Sequence, residues 1–122
     1  MITLTGIVEN GVNHFSTRMN KYPEIFKNAT GETLIPGTLN INVKRKVKIN
    51  EHFRIKGSEI NEPEQDLLFE VCKINGFWAY RIRPYNLLSG KGGHGDHIIE
   101  ITSSKEFPNV DQGKMVELSF FR

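Results

Sequence analysis

Cysteine is almost absent from this chain. Cys72 stands alone among 122 residues, so no internal disulfide can form and a reducing, cytoplasmic setting is expected. Long apolar runs are missing as well. Apolar residues come in short groups such as Ile98-Ile99, far short of the roughly 18 residues a membrane helix needs, and no basic stretch followed by an apolar one opens the sequence. A soluble protein with no membrane partner is the expectation. Charge of one sign is scarce too: sixteen Lys and Arg against fourteen Asp and Glu leave +2 at pH 7. That falls well below the basic excess of a dedicated nucleic-acid binder, so no nucleic-acid partner is expected. CxxC pairs, HExxH, GxSxG and the Walker loop are all missing, which removes the familiar zinc-site, serine-hydrolase and P-loop classes.

What is present describes one globular domain spanning 1–122. Apolar residues make up 38% and aromatics 10%, enough for a core, and a chain of this length removes about two-thirds of its unfolded surface from water on folding. Ile2, Leu4, Ile7 and Val8 alternate with Thr and end at the turn dipeptide Asn10-Gly11, a first strand. His14 to Ser16 read as a short second strand. Tyr22 to Ala29 read as a helix, with Pro23 in the first turn, Glu24 at the positive end of the dipole and Ile25, Phe26 and Ala29 as an apolar stripe. After the Pro36-Gly37 turn, Thr38 to Ile49 alternate over twelve positions, the clearest strand in the sequence. Leu67 to Ile74 and Phe77 to Pro84 flank Asn75-Gly76, a hairpin signal. His97 to Ile101 and Met115 to Phe121 supply two more strands. The pattern predicts a mainly all-β fold, a small six-stranded antiparallel barrel with one short helix.

Several residue groups invite a chemical reading and each has a plainer one beside it. Lys44, Arg45, Lys46 and Lys48 suit either a nucleic-acid patch or the wet face of a strand, and the second needs fewer assumptions because no stacking aromatics accompany them. Cys72 sits in an apolar strand and reads as a buried thiol rather than a nucleophile. His94, Asp96 and His97 lack the spacing of a metal site and read as a solvated loop. Gly90-Lys91-Gly92-Gly93 suits a turn or a phosphate cradle. Thr38 and Asn40, spaced by two, share one strand face. They offer two hard neutral oxygens suited to Mg2+, or simply a polar strand face.

Leu34-Ile35-Pro36-Gly37-Thr38-Leu39-Asn40-Ile41-Asn42-Val43 follows a Tyr-x-x-x-Phe helix (Tyr22, Phe26) and a Gly-x-Val strand (Gly6, Val8). His94, Ile98-Ile99-Glu100-Ile101 and a closing Gly-x-x-Val-x-Leu (Gly113, Val116, Leu118) come after it in order. Across nearly the whole chain this arrangement resembles the archaeal type of riboflavin kinase, the CTP-dependent family. The resemblance implies a cradle-loop barrel acting as a monomer that moves the terminal phosphoryl of CTP to the 5'-hydroxyl of riboflavin, giving FMN and CDP. It implies Mg2+ on Thr38 and Asn40, nucleotide along Gly11, Val12, Asn13, His14 and Lys105, and flavin near Gly92, His94 and Glu100. No residue is assigned as a catalytic base. Phosphoryl transfer rests mostly on positioning and on neutralising phosphate charge, so the lack of an obvious nucleophile is consistent with it.

Three departures bear on function. The loop Gly11 to His14 is shorter and poorer in glycine than the family's, Gly92 stands where the family has a flavin-contacting Thr, and Ser103-Ser104-Lys105-Glu106 replaces a basic Leu-Arg segment. Each loss removes contacts, chiefly to nucleotide, so flavin is expected to bind more tightly than CTP. The alternative is a non-catalytic flavin- or nucleotide-binding module on the same barrel.

Overall fold

The structure is a computed structural model that describes residues 1–10, 14–90 and 95–122, with His14 described by its backbone alone. Its elements in chain order are β1 (Ile2–Glu9), α1 (His14–Lys21), α2 (Pro23–Thr30), β2 (Leu39–Asn42), β3 (Phe53–Ile55), a 3-10 turn Gly57–Ile60, β4 (Gln65–Ile74), β5 (Phe77–Asn86), β6 (Ile98–Thr102) and β7 (Met115–Phe120). Every strand pairing is antiparallel, in the order β3-β4-β5-β6-β2-β1-β7. A second edge of β4 then meets β7 and closes six strands into a barrel. That edge is divided: β3 takes Leu67 to Phe69 and β7 takes Cys72 to Ile74.

Alternation builds two apolar layers from one sheet. Leu4, Val8, Ile41, Cys72, Ile74, Ala79, Ile99, Ile101, Leu118 and Phe120 point inward and fill the barrel. Phe69, Leu67 and Ile82 point outward and meet Phe15 and Met19 of α1 and Phe26 of α2. Removing a buried Phe such as Phe26 from that layer costs about 3–5 kcal/mol, transfer and cavity terms together. Gly6 is required where β1 crosses β2, because a Cβ there would lie 2.6 Å from Ile41 Cγ2 and 2.9 Å from the Asn42 carbonyl oxygen. The Asn75-Gly76 hairpin is also of the expected kind, with φ of 49° and 84° at its two central residues.

The expected all-β barrel is the fold, with three local differences. His14 to Ser16 begin α1 instead of forming a strand, because Phe15 and Met19 sit four apart and one helical turn buries both against the outer face. The helices are therefore two rather than one. The single strand expected from Thr38 to Ile49 ends at Asn42: the Asn42 side-chain oxygen accepts the Lys44 N–H at 2.8 Å and Lys44 takes a positive φ of 57°. Val43 and Val47 still turn inward beyond that kink, which explains why the alternation reads as unbroken. β3, only three residues long, carries too little alternation to be visible in sequence. Among the described residues no helix is long and apolar enough to cross a membrane.

Candidate functional site

Register pairing in an antiparallel sheet puts partner side chains on the same face, so pairings read across the barrel define a row. One such row on the outer face runs Phe53, Phe69, Ile82, Glu100, Asn40, Glu9. Its first three members belong to the apolar layer under the helices. Then the chemistry changes: Glu100 and Asn40 are each 5% exposed, and Glu9 reaches solvent. A carboxylate and an amide are thus withdrawn from water side by side on β6 and β2.

Thr38 completes the group. Its hydroxyl donates to Glu100 Oε2 at 3.0 Å, which uses the hydroxyl proton and leaves the oxygen's lone pairs for another partner. The turn before it is held from two sides. Gly37, at φ 111°, donates its N–H to Met19 Sδ of α1 at 3.4 Å. Ile35 donates its N–H to the Ser103 carbonyl at 2.9 Å, which carries the β2–β6 alignment beyond the strand ends. Asn40 Oδ1 is buried and accepts no hydrogen bond. Buried carbonyl oxygens are nearly always satisfied, and an exception of this kind marks a place where a donor or a cation belongs. Thr38 Oγ1, Asn40 Oδ1 and the Glu100 carboxylate are hard oxygen donors that suit Mg2+, so these residues fit the ion. Among the described residues no cluster of three or more His, Cys, Asp or Glu forms a second candidate.

Beside this group lies a cavity of about 350 Å³, within the range of small-molecule sites. Its walls are apolar at Ile35, Leu39, Ile101 and Phe107, with polar groups at Thr38, Thr102 and Lys105. Thr102 is 2% exposed and its Oγ1 has no partner. Sequence reading passed over it, although it stands two residues after Glu100 and so faces the same way. Apolar walls with a few inward polar groups are the usual make-up of a small-molecule site.

Of the residues singled out from sequence, Thr38, Asn40 and Glu100 come together, and Lys105 lines the adjoining cavity with Thr38. Gly11, Val12, Asn13, Gly92 and His94 lie outside the described residues, and His14 is placed only as the first residue of α1. Asp96 pairs with Arg83 at 3.1 Å. The Gly90 N–H closes a turn onto the Asn86 carbonyl at 2.7 Å. Cys72 is fully buried, and burial, reinforced by the Glu70 charge, pushes its thiol up to about 12. It stays a neutral thiol at physiological pH and serves the core.

The fold and its outer-face oxygen cluster stand on this geometry alone, since no family model and no curated protein matches the chain.

Proposed function

We propose that this chain is a CTP-dependent riboflavin kinase-like protein that transfers the terminal phosphoryl of a nucleoside triphosphate to the 5'-hydroxyl of riboflavin. The observation carrying the reading is the buried, unpartnered Asn40 Oδ1 set beside the hydrogen-bonded Thr38–Glu100 pair. In the reaction the hydroxyl oxygen bonds to the terminal phosphorus, the bond from phosphorus to the bridging oxygen breaks, CDP leaves with the electron pair and the hydroxyl proton passes to solvent. Mg2+ bound at Thr38 and Asn40 would supply neutralisation of the phosphate charge.

The protein's own contribution is placement. Asn40 is fixed by β2, which is paired on both sides, and Thr38 by the turn before it; Glu100 orients the Thr38 hydroxyl, and the apolar walls at Ile35, Leu39 and Phe107 receive the flavin ring. Lys105 attracts the nucleotide phosphates. Pre-set geometry of this kind lowers the barrier by removing reorganisation at the moment of reaction.

A second reading, a flavin- or nucleotide-binding module without catalysis, is favoured by one feature: Lys105 is the single cation among the described residues that line the cavity. That is little charge to set against a triphosphate. Incubation of the protein with riboflavin, Mg2+ and each of CTP, ATP, GTP and UTP, followed by chromatography for FMN, separates the readings. FMN formed with CTP supports the kinase. Flavin binding without FMN from any nucleotide replaces it with the module, and failure to bind either ligand removes both.

A further inference from the structure

A second cavity, of about 540 Å³, opens at the other end of β2 and β6 and, among the described residues, shares no lining residue with the first. Lys46 and Lys48 from the kinked segment after β2 stand on one side, Arg83, Pro84 and Tyr85 of β5 on another, and Gly95 and Asp96 close it. Among the described residues that line it, three cations face one carboxylate, Asp96, which Arg83 already engages at 3.1 Å. Lys46 and Lys48 have no carboxylate partner among the described residues.

The interior beneath this opening is unusual. Leu68 pairs with Arg83 at the cavity wall, and the next inward-facing pair along the same two strands is Glu70 with Arg81. Arg81 is 1% exposed, yet neither Nη1 nor Nη2 has a hydrogen-bond acceptor. Its guanidinium lies 6.0 Å from the Phe120 ring centroid. The nearby Glu70 carboxylate is engaged instead by Arg122, through Nε at 2.9 Å and Nη2 at 2.8 Å, and by the Asn50 N–H at 2.9 Å. An interior guanidinium whose two terminal nitrogens lack acceptors departs from the rule that buried polar groups are paired, and the missing partner must be an anion or an acceptor oxygen.

We propose that this barrel end is a binding site for a small phosphomonoester, its phosphate held by Lys46, Lys48 and Arg83 over the Arg81 guanidinium and its organic part resting on Ile49, Leu68 and Tyr85. Guanidinium groups suit phosphate through paired, charge-assisted hydrogen bonds, and the two lysines add charge at the rim. The apolar wall selects an ester over the bare ion. The inference stands independently of the proposed kinase activity, which uses the outer-face oxygens and the cavity at the opposite end of β2 and β6.

Inorganic phosphate and phenyl phosphate titrated into the metal-free protein by calorimetry, at ionic strength held constant with chloride, test it. Saturable binding is expected for both, about tenfold tighter for the ester. The double variant Lys46→Gln/Lys48→Gln changes two exposed side chains and should weaken both by at least about tenfold, while Asn40→Leu leaves them unchanged. Amide shifts in heteronuclear spectra should gather at Tyr85, Gly95 and Asp96. Heats no larger than those of chloride, affinities that the double variant retains, or shifts gathered instead at Thr38 and Thr102 would each overturn the assignment.

Discussion

Two of the places where this barrel withdraws polar side chains from water are treated in opposite ways. Inside it, the Glu70 carboxylate is 0% exposed and fully engaged, by Arg122, by the Asn50 N–H and by the field of Arg81 across the strand. On the outer wall, Asn40 is nearly as buried but its Oδ1 has no partner, and the Thr38–Glu100 bond joins the group internally. Removing the partner of a buried carboxylate such as Glu70 leaves an uncompensated charge and is strongly destabilising. A short neutral amide on a rigid strand can be left open, because its desolvation is cheap enough for the rest of the core to offset. The engaged Glu70 carboxylate is structural, whereas a group left open, such as the Asn40 amide oxygen, is where a ligand can add something.

Breaking the interior should therefore do the greater damage. Glu70→Ala strands Arg81 and Arg122 and is expected to cost about 3–5 kcal/mol in urea unfolding, with flavin affinity preserved in whatever fraction remains folded. A loss below about 1 kcal/mol would mean that the pair is solvated and the contrast is wrong. Asn40→Leu should do the reverse. It removes an unsatisfied acceptor, so the unfolding midpoint should hold or rise, while FMN formation falls by at least about 100-fold because a metal ligand is gone. Unchanged turnover would dissociate Asn40 from Mg2+.

Glu100 sharpens the comparison because it belongs to the wall yet bears a carboxyl group. Glu100→Ala is expected to weaken riboflavin binding about tenfold, as for a hydrogen bond to a charged group, and nucleotide binding less. Fluorescence titration of flavin and calorimetry of CTP read the two separately, and equal losses would assign Glu100 only to holding Thr38. The smallest effect concerns Cys72. Because folding raises its thiol from 9.0 to about 12, the unfolded chain ionises first as pH rises. The thiol's contribution is whole below pH 9 and is lost progressively between pH 9 and 12. Disulfide-exchange reagents should accordingly leave the native thiol untouched at pH 8 and modify it in denaturant.

The barrel was legible because strand-length apolar segments flank clear turn signals: Leu67 to Ile74 and Phe77 to Pro84 around Asn75-Gly76 come out where the pattern puts them. The length of β2 was not, since Val43 and Val47 keep the apolar beat through a segment that Asn42 and Lys44 have already turned away from the ladder. α1 was missed because two apolar residues four apart are indistinguishable, over so few positions, from strand residues. For the site, Thr38 and Asn40 could be paired by their spacing of two. That Glu100 would stand directly opposite Asn40 is a fact of strand order, β6 beside β2, which no local pattern contains. Thr102 and Arg81 were overlooked for the same reason, as their significance lies in what they fail to touch.

The row across the outer face has a consequence for how this protein can change. β6 presents Ile99 and Ile101 to the barrel and Glu100 and Thr102 to the wall, so a slip of one residue against β2 would drive the carboxylate into the apolar interior and turn two isoleucines outward. Moving the site along the strand by a single position is forbidden by the same arithmetic. Insertions and deletions within β2 or β6 therefore come in twos or not at all, whereas the turns beyond their ends are at liberty to lengthen, shorten and acquire new ligands.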